Sequence, residues 1–273
     1  MKKGKVFVCG GDKRSIYIAK YFGLEGYSVK TYGLGIGNES LDELKDSNML
    51  VLGLPSVKDG KINMPLSNEV VTLKELVGYC SPDTVVAGGR LTKDDIEIIE
   101  SQGLLARDYS EDEIFQVENA LYTAEGTVCS LIENTEKSLC GMKILILGGG
   151  RISKALSSLL ANAPCKICVY ARSELGRTFF NMRGIETTKT PNCLCGYDVV
   201  INTVPADILP YDTLKNASKD SLIIDLSARP GYVNKEICKE LGLKLMYLPG
   251  IPLTSAPCSA GVSAAKAAER ILG

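Results

Sequence analysis

Short apolar runs recur along the chain, separated by stretches with helical spacing. Residues 5–9, 29–32, 49–52, 84–87 and 104–107 have the length and composition of strands buried on both faces of a parallel sheet. Between them, 13–24, 72–77 and 93–101 carry apolar positions at helical intervals, and Gly26 stops the first of these helices. Residues 33–37 read as a glycine-rich loop and Asp59-Gly60 as the turn of a short hairpin. A long helical stretch over 112–134 leads to a second series, with strands at 143–147, 166–170, 197–205, 221–227 and 244–250. A helix is predicted at 151–161 and an alanine-rich one at 259–272. This alternation predicts an α/β protein of two doubly wound parallel-sheet domains. The first is expected over 1–118, flavodoxin-like and substrate-binding. The second is expected over 119–273, with the helix 259–273 in position to pack back on the first.

Glycines sharpen the second domain. The strand Lys143-Ile-Leu-Ile-Leu147 runs straight into Gly148-Gly-Gly150 and then into a helix carrying Ile152, Leu156, Leu159 and Leu160. In that setting one glycine makes the tight turn and the second lets the backbone approach a pyrophosphate, which the first helical amides hold, so 119–273 is expected to be a Rossmann dinucleotide-binding domain. The third glycine of the usual pattern is Ser153, small enough for close helix–strand packing. About twenty residues on, where NAD-binding units carry an acid for the ribose hydroxyl, stand Arg172 and Ser173, with Arg177 one turn later. A cation and a hydroxyl suit a 2′-phosphate, so NADP is expected over NAD. The alternative reading of Arg172 is a solvated residue at a strand end.

Composition removes several function classes. Among 273 residues, 31 basic and 32 acidic side chains leave a net charge of −1, which argues against nucleic acid or an anionic membrane as the main partner. No apolar run reaches membrane-spanning length, and the start of the chain carries no signal-peptide pattern, so a cytoplasmic protein is expected. There are ten cysteines and no histidine. Cys165-x-x-Cys168 and Cys193-x-Cys195 invite a zinc reading, but an offset of three in a strand places the first pair on opposite faces, and reduced packing cysteines with no metal are expected. Without histidine, proton transfer falls to carboxylate, lysine, tyrosine, cysteine or solvent.

Ligands of such sheets gather at the carboxyl ends of the strands, here Gly10-Gly11-Asp12-Lys13-Arg14, Pro55-Ser56 and Gly88-Gly89-Arg90. With these in place, the order of motifs resembles that of the A subunits of dipicolinate synthase, a family of endospore-forming bacteria, over nearly the whole length. The motifs are Gly10-Gly11-Asp12-x-Arg14, Asn119-x-x-x-Thr123-Ala124-Glu125-Gly126, Leu147-Gly148-x-Gly150-Arg151 and Ala171-Arg172-Ser173. They continue through Asn202-Thr203-x-Pro205-Ala206, Ile224-Asp225-Leu226-Ser227-Ala228-x-Pro230-Gly231, Pro249-Gly250-Ile251-Pro252 and Ala256-Pro257-x-x-Ala260-Gly261. The resemblance implies an NADP-dependent oxidation of dihydrodipicolinate to dipicolinate, performed with a B subunit, in sporulation. Two positions depart from the family pattern: Ser153, and Cys258 where lysine is usual, which bears on the substrate dicarboxylate.

For that chemistry, Lys13 and Arg14 are the first choice to bind a carboxylate and Arg90 the second, with Asn119 and Thr123 as hydrogen-bonding partners. Glu125 leads as proton acceptor, ahead of Asp12 and Asp225. Each has a plainer reading: Asp12 and Asp225 as helix caps, Glu125 as a cap or pair within the connector, Arg14 as a solvated first-turn residue. Gly148, Gly150, Arg151, Ile152, Arg172, Ser173, Arg177, Thr203, Val204, Pro205, Asp225 and Ser227 are the expected cofactor contacts. Two other functions fit the same residues. One is an NADP dehydrogenase of the shikimate or amino-acid type, although no lysine–aspartate pair stands at a strand end. The other is a non-catalytic, cofactor-binding regulatory subunit. A homo-oligomer is expected.

Overall fold

The computed structural model describes residues 3–37, 39–191, 194–227 and 232–272. In chain order the first elements are β1 (Lys5–Cys9), α1 (Lys13–Leu24), β2 (Ser28–Tyr32), β3 (Met49–Leu52), β4 (Val57–Lys58), β5 (Lys61–Ile62), α2 (Leu73–Val77), β6 (Val85–Gly88), α3 (Lys93–Glu100) and β7 (Leu105–Asp108). A long helix, α4 (Glu113–Thr135), follows, then β8 (Lys143–Leu147), α5 (Arg151–Leu160), β9 (Lys166–Tyr170), α6 (Glu174–Asn181) and β10 (Glu186–Thr188). The chain ends with β11 (Val199–Asn202), α7 (Tyr211–Leu214), β12 (Leu222–Asp225), α8 (Lys235–Glu240), β13 (Lys244–Tyr247), α9 (Pro252–Ser255) and α10 (Pro257–Leu272). Two compact units result, one of Met1–Asn119 with Ala256–Gly273 and one of Ala120–Ser255.

In the first unit a parallel sheet runs in the order β2-β1-β3-β6-β7, the doubly wound order of flavodoxin-like folds. Its central strands are apolar throughout because both faces are covered. Val6, Val8, Met49 and Val51 face one core, and Phe7, Cys9, Leu50 and Leu52 the other. Helix α10 packs on α1 within this unit. At Gly261 a β-carbon would collide with the Arg14 carbonyl and the Tyr17 side chain, so glycine is what lets the two helices close. Towards its end, Arg270 donates to Asp112 at 2.6 and 2.9 Å, and Glu269 accepts from Tyr21 at 2.7 Å and Tyr27 at 3.1 Å.

In the second unit the parallel order is β10-β9-β8-β11-β12-β13, the 3-2-1-4-5-6 order of a Rossmann sheet with its switch point beside β8. Ile144 and Ile146 point to one core, Leu145 and Leu147 to the other. The buried stripe of α5 is Ser153, Leu156, Ser157 and Leu160, while Leu159, expected inside, is exposed. Spacings of three and four place the two serines, not Leu159, on the inner face. The strands expected over 197–205, 221–227 and 244–250 stop at Asn202, Asp225 and Tyr247. Cys165, just before β9, packs on one side of the sheet and Cys168 on the other; Cys193 lies outside the described residues. Among the described residues no helix is long and apolar enough to cross a membrane.

Candidate functional site

The turn between β8 and α5 is built from glycines with different tasks. Gly148 has φ +119°, donates its amide to the Tyr170 carbonyl at 2.9 Å, and has no room for a β-carbon, which would strike the Thr203 hydroxyl. Gly150 is unlike it. Its φ is −84° and a β-carbon there would meet nothing within 4 Å. The fold itself therefore does not require glycine at 150. Gly150 is also the N-cap of α5, and no side chain caps that helix, whereas Asp12, Thr72, Thr92, Ser173 and Asn234 cap α1, α2, α3, α6 and α8. Open space over an uncapped N-terminus, at the carboxyl end of the central strand, fits a dinucleotide pyrophosphate.

Ser153 has its own account. It is fully buried, and its Oγ lies 2.9 Å from Thr203 Oγ1, which donates to the Leu147 carbonyl at 2.8 Å. With the Thr203 proton committed to that carbonyl, Ser153 is the donor to Thr203. The serine at the third glycine position thus ties the first turn of α5 to the carboxyl ends of β8 and β11.

Beyond β9 the three expected phosphate contacts separate. Ser173 Oγ accepts from the Gly176 amide at 3.0 Å and caps α6. Arg177 donates from Nη1 to the Ala171 and Arg172 carbonyls, at 2.8 Å each, and fastens the turn. Arg172 is exposed, and its side chain bonds to no described residue. Two further cations meet at one ring of α6: Lys154 and Arg183 lie 4.3 and 3.7 Å from the Phe179 ring centre. Sequence reasoning did not single them out.

At the ends of β11 and β12, Asn202 stands opposite Asp225 in register. Its Nδ2 donates to Asp225 Oδ1 at 2.9 Å and its Oδ1 accepts from the Val204 amide at 3.0 Å. Asp225 Oδ1 also accepts from the Ser227 amide at 3.1 Å. This corrects the cap reading of Asp225: the carboxylate orders the turns that carry Thr203 to Pro205 and Ser227, and the following helix is capped by Asn234.

In the first unit, Asp12 and Arg14 are brought together. Both are buried, at 8% and 9% exposure, and joined by Nε–Oδ1 and Nη2–Oδ2 contacts of 2.9 and 2.7 Å. Asp12 also takes the Arg14 amide at 2.9 Å, and Arg14 Nη2 donates to the Leu54 carbonyl. Arg14 is therefore no solvated residue, and its charge is met by Asp12. The Gly10 and Gly11 amides donate to the Tyr32 and Asn63 carbonyls at 2.9 and 2.6 Å and so are already engaged within the fold. Lys13 is exposed. Tyr109 is buried beside this pair and donates to the Leu52 carbonyl at 3.0 Å; burial drives its hydroxyl pKa well up, leaving a fixed neutral donor.

Arg90 follows β6, exposed, with its backbone amide held by Asp108 Oδ1 and Ser110 Oγ at 3.1 Å each. Asp108, which sequence reasoning passed over, organises this loop. The available signal was an acid at the carboxyl end of the strand next to Gly88-Gly89-Arg90. On α4, Asn119 is half-buried and Thr123 buried one turn later, while Glu125 is exposed and bonds to no described residue. Cys258 is exposed in the first turn of α10.

Comparison with known proteins bears out the resemblance drawn from the motifs. Residues 5–109 match the N-terminal domain of the dipicolinate synthase A subunit. The chain is 26% identical over 284 residues to the dipicolinate synthase A subunit of Bacillus subtilis (strain 168), covering 98% of this chain and 95% of that one. The crystal structure of the dipicolinate synthase A subunit from Bacillus halodurans superposes with a TM-score of 0.89 at 24% identity, covering 99% and 98% of the two chains. A transhydrogenase from Sinorhizobium meliloti shares the fold at a TM-score of 0.70 and 12% identity, covering 98% of this chain and 92% of that one. The chain thus shares its two-sheet α/β fold with these proteins.

Proposed function

We propose that this chain is an NADP-dependent oxidoreductase that converts a dihydrodipicolinate to dipicolinate, acting with a companion subunit in the way the name of its relatives implies. The observation that carries the reading is Gly150, a glycine the fold does not need, over the uncapped start of α5. Gly148, Gly150, Arg151 and Ile152 would cradle the pyrophosphate, Thr203 to Pro205 and Ser227 would lie along the dinucleotide, and Arg172 would meet the 2′-phosphate. Bound NADP would accept the hydride from the ring.

The chain's own residues would bind the dicarboxylate and take one proton, and aromatisation supplies driving force. Of the three carboxylates considered for the proton, Asp12 is paired with Arg14 and Asp225 is held by Asn202 and Ser227. Glu125 alone makes no hydrogen bond to a described residue, which supports it as the acceptor. Asp12 and Asp225 are given positioning roles. Asn119 and Thr123 remain the proposed partners of one substrate carboxylate.

The test is spectrophotometric. The chain is assayed for NADP reduction with freshly prepared dihydrodipicolinate, alone and with the companion subunit. NADP reduction is expected, and Glu125→Gln is expected to lower kcat by about 100-fold or more with KM little changed. Full turnover in that variant removes Glu125 as the acceptor, and no turnover under either condition contradicts the reaction.

A further inference from the structure

Three non-glycine residues among those described have positive φ: Asp59 at 52°, Arg90 at 56° and Glu136 at 51°. Two follow from local geometry. Asp59 with Gly60, at 74°, forms the two-residue turn between β4 and β5, where both central positions need positive φ. Glu136 directly follows the last residue of α4, the place where helices often end in a left-handed residue. Arg90 is neither in a hairpin nor at a helix end. It lies between β6 and α3, after two glycines, where glycine would be the default.

The left-handed conformation is imposed from outside. Asp108 Oδ1 and Ser110 Oγ hold the Arg90 amide, and Asp108 Oδ2 holds the Leu91 amide at 2.9 Å. Ser110 is in turn locked to Asp108 Oδ1 by its amide at 2.8 Å and its hydroxyl at 2.6 Å. Yet the guanidinium bonds to no described residue. An unfavourable backbone is maintained to present a side chain that returns nothing to the fold. The location agrees with a ligand role. Leu54, whose carbonyl binds Arg14, would be 2.6 Å from a β-carbon on Gly89, the residue before Arg90. Leu54 thus links the residue before Arg90 to Arg14 at the carboxyl end of the same sheet, where the charge of Arg14 is already met and that of Arg90 is not.

We propose that Arg90 is the primary carboxylate-binding cation of the first unit, with Asp12–Arg14 as the fixed floor beside it. The assignment rests on the dicarboxylate reading above and names which cation does the binding. It reverses the order expected from sequence, in which Arg14 came first.

The test uses the full chain with Arg90→Gly, Arg90→Asn and Arg90→Lys, thermal unfolding, and calorimetric titration with dipicolinate and separately with NADP. Glycine and asparagine tolerate positive φ, so Tm is expected to stay within about 2 °C of the parent. Dipicolinate affinity is expected to fall about 10- to 100-fold in both, with Arg90→Lys intermediate and NADP affinity unchanged in all three. Parental dipicolinate affinity in Arg90→Gly overturns the assignment and leaves the dicarboxylate reading standing. A parent chain that binds NADP but no dipicolinate, alone or with its companion subunit, overturns both.

Discussion

Ser153 and Thr203 show how single side chains fix the dinucleotide turn. The relay from Ser153 Oγ to Thr203 Oγ1 to the Leu147 carbonyl joins α5, the turn after β11 and β8. Removing its ends has unequal effects. Ser153→Ala deletes one donor and leaves the threonine bonded, a loss of about 1 kcal/mol. Thr203→Val keeps the shape and the bond from the residue-203 amide to the Leu147 carbonyl, but leaves the fully buried Ser153 hydroxyl without that partner, a loss of about 2 kcal/mol. Thermal unfolding checks the order: Thr203→Val is expected to be the less stable variant, and equal stability would contradict the relay. The glycine motif announced the turn, but no spacing rule connects residues 153 and 203. Only the register of β8 against β11 brings them together. The same limit hid the Asn202–Asp225 pair, whose partners are set opposite one another by strand register. Asp12 and Arg14, by contrast, are two residues apart, and their pairing was within reach of the sequence.

At the scale of elements, most strands were legible because a parallel strand covered on both faces must be apolar throughout. β10, Glu-Thr-Thr at the edge of its sheet, has no such run and forms by pairing with β9. The short helices α7, α8 and α9 carry too few turns for a periodic signal. Helix α10 was legible as a helix, and the small residues that let it close on α1 account for its alanine content. Its ion pairs add a pH dependence. The hydrogen bond from Arg270 holds the Asp112 carboxyl below its ordinary 3.8. Burial pushes Glu269 up, but hydrogen bonds from Tyr21, Tyr27 and Lys3 outweigh it and hold the group below 4.5. Groups lowered in this way stabilise the folded state above their unfolded pKa and lose that contribution as pH falls through the folded value. With Arg270 39% exposed, solvent screening limits the pair to about 1 kcal/mol or less. Asp112→Asn is therefore expected to lower Tm at pH 7, and the difference from the parent to shrink as pH falls below the ordinary 3.8 of Asp112. A difference that stays constant across that range would contradict the pair's role.

For the molecule as a whole, the proposed function divides between two sheets of different order. The Rossmann order carries the proposed cofactor cradle, and the flavodoxin-like order carries the proposed carboxylate site. The central claim is that Gly150 and Arg172 exist for a ligand, since neither is used by the fold. Calorimetric titration of the parent, Gly150→Val and Arg172→Ala with NADP and NAD tests it most directly. The parent is expected to bind NADP about tenfold or more tightly than NAD, and Arg172→Ala to lose most of that preference by weakening NADP alone. Gly150→Val is expected to stay folded, with Tm lowered by no more than a few degrees for the poorer N-cap, and to bind neither nucleotide. Unaltered NADP binding by Gly150→Val, or equal affinity of the parent for the two nucleotides, would contradict the account.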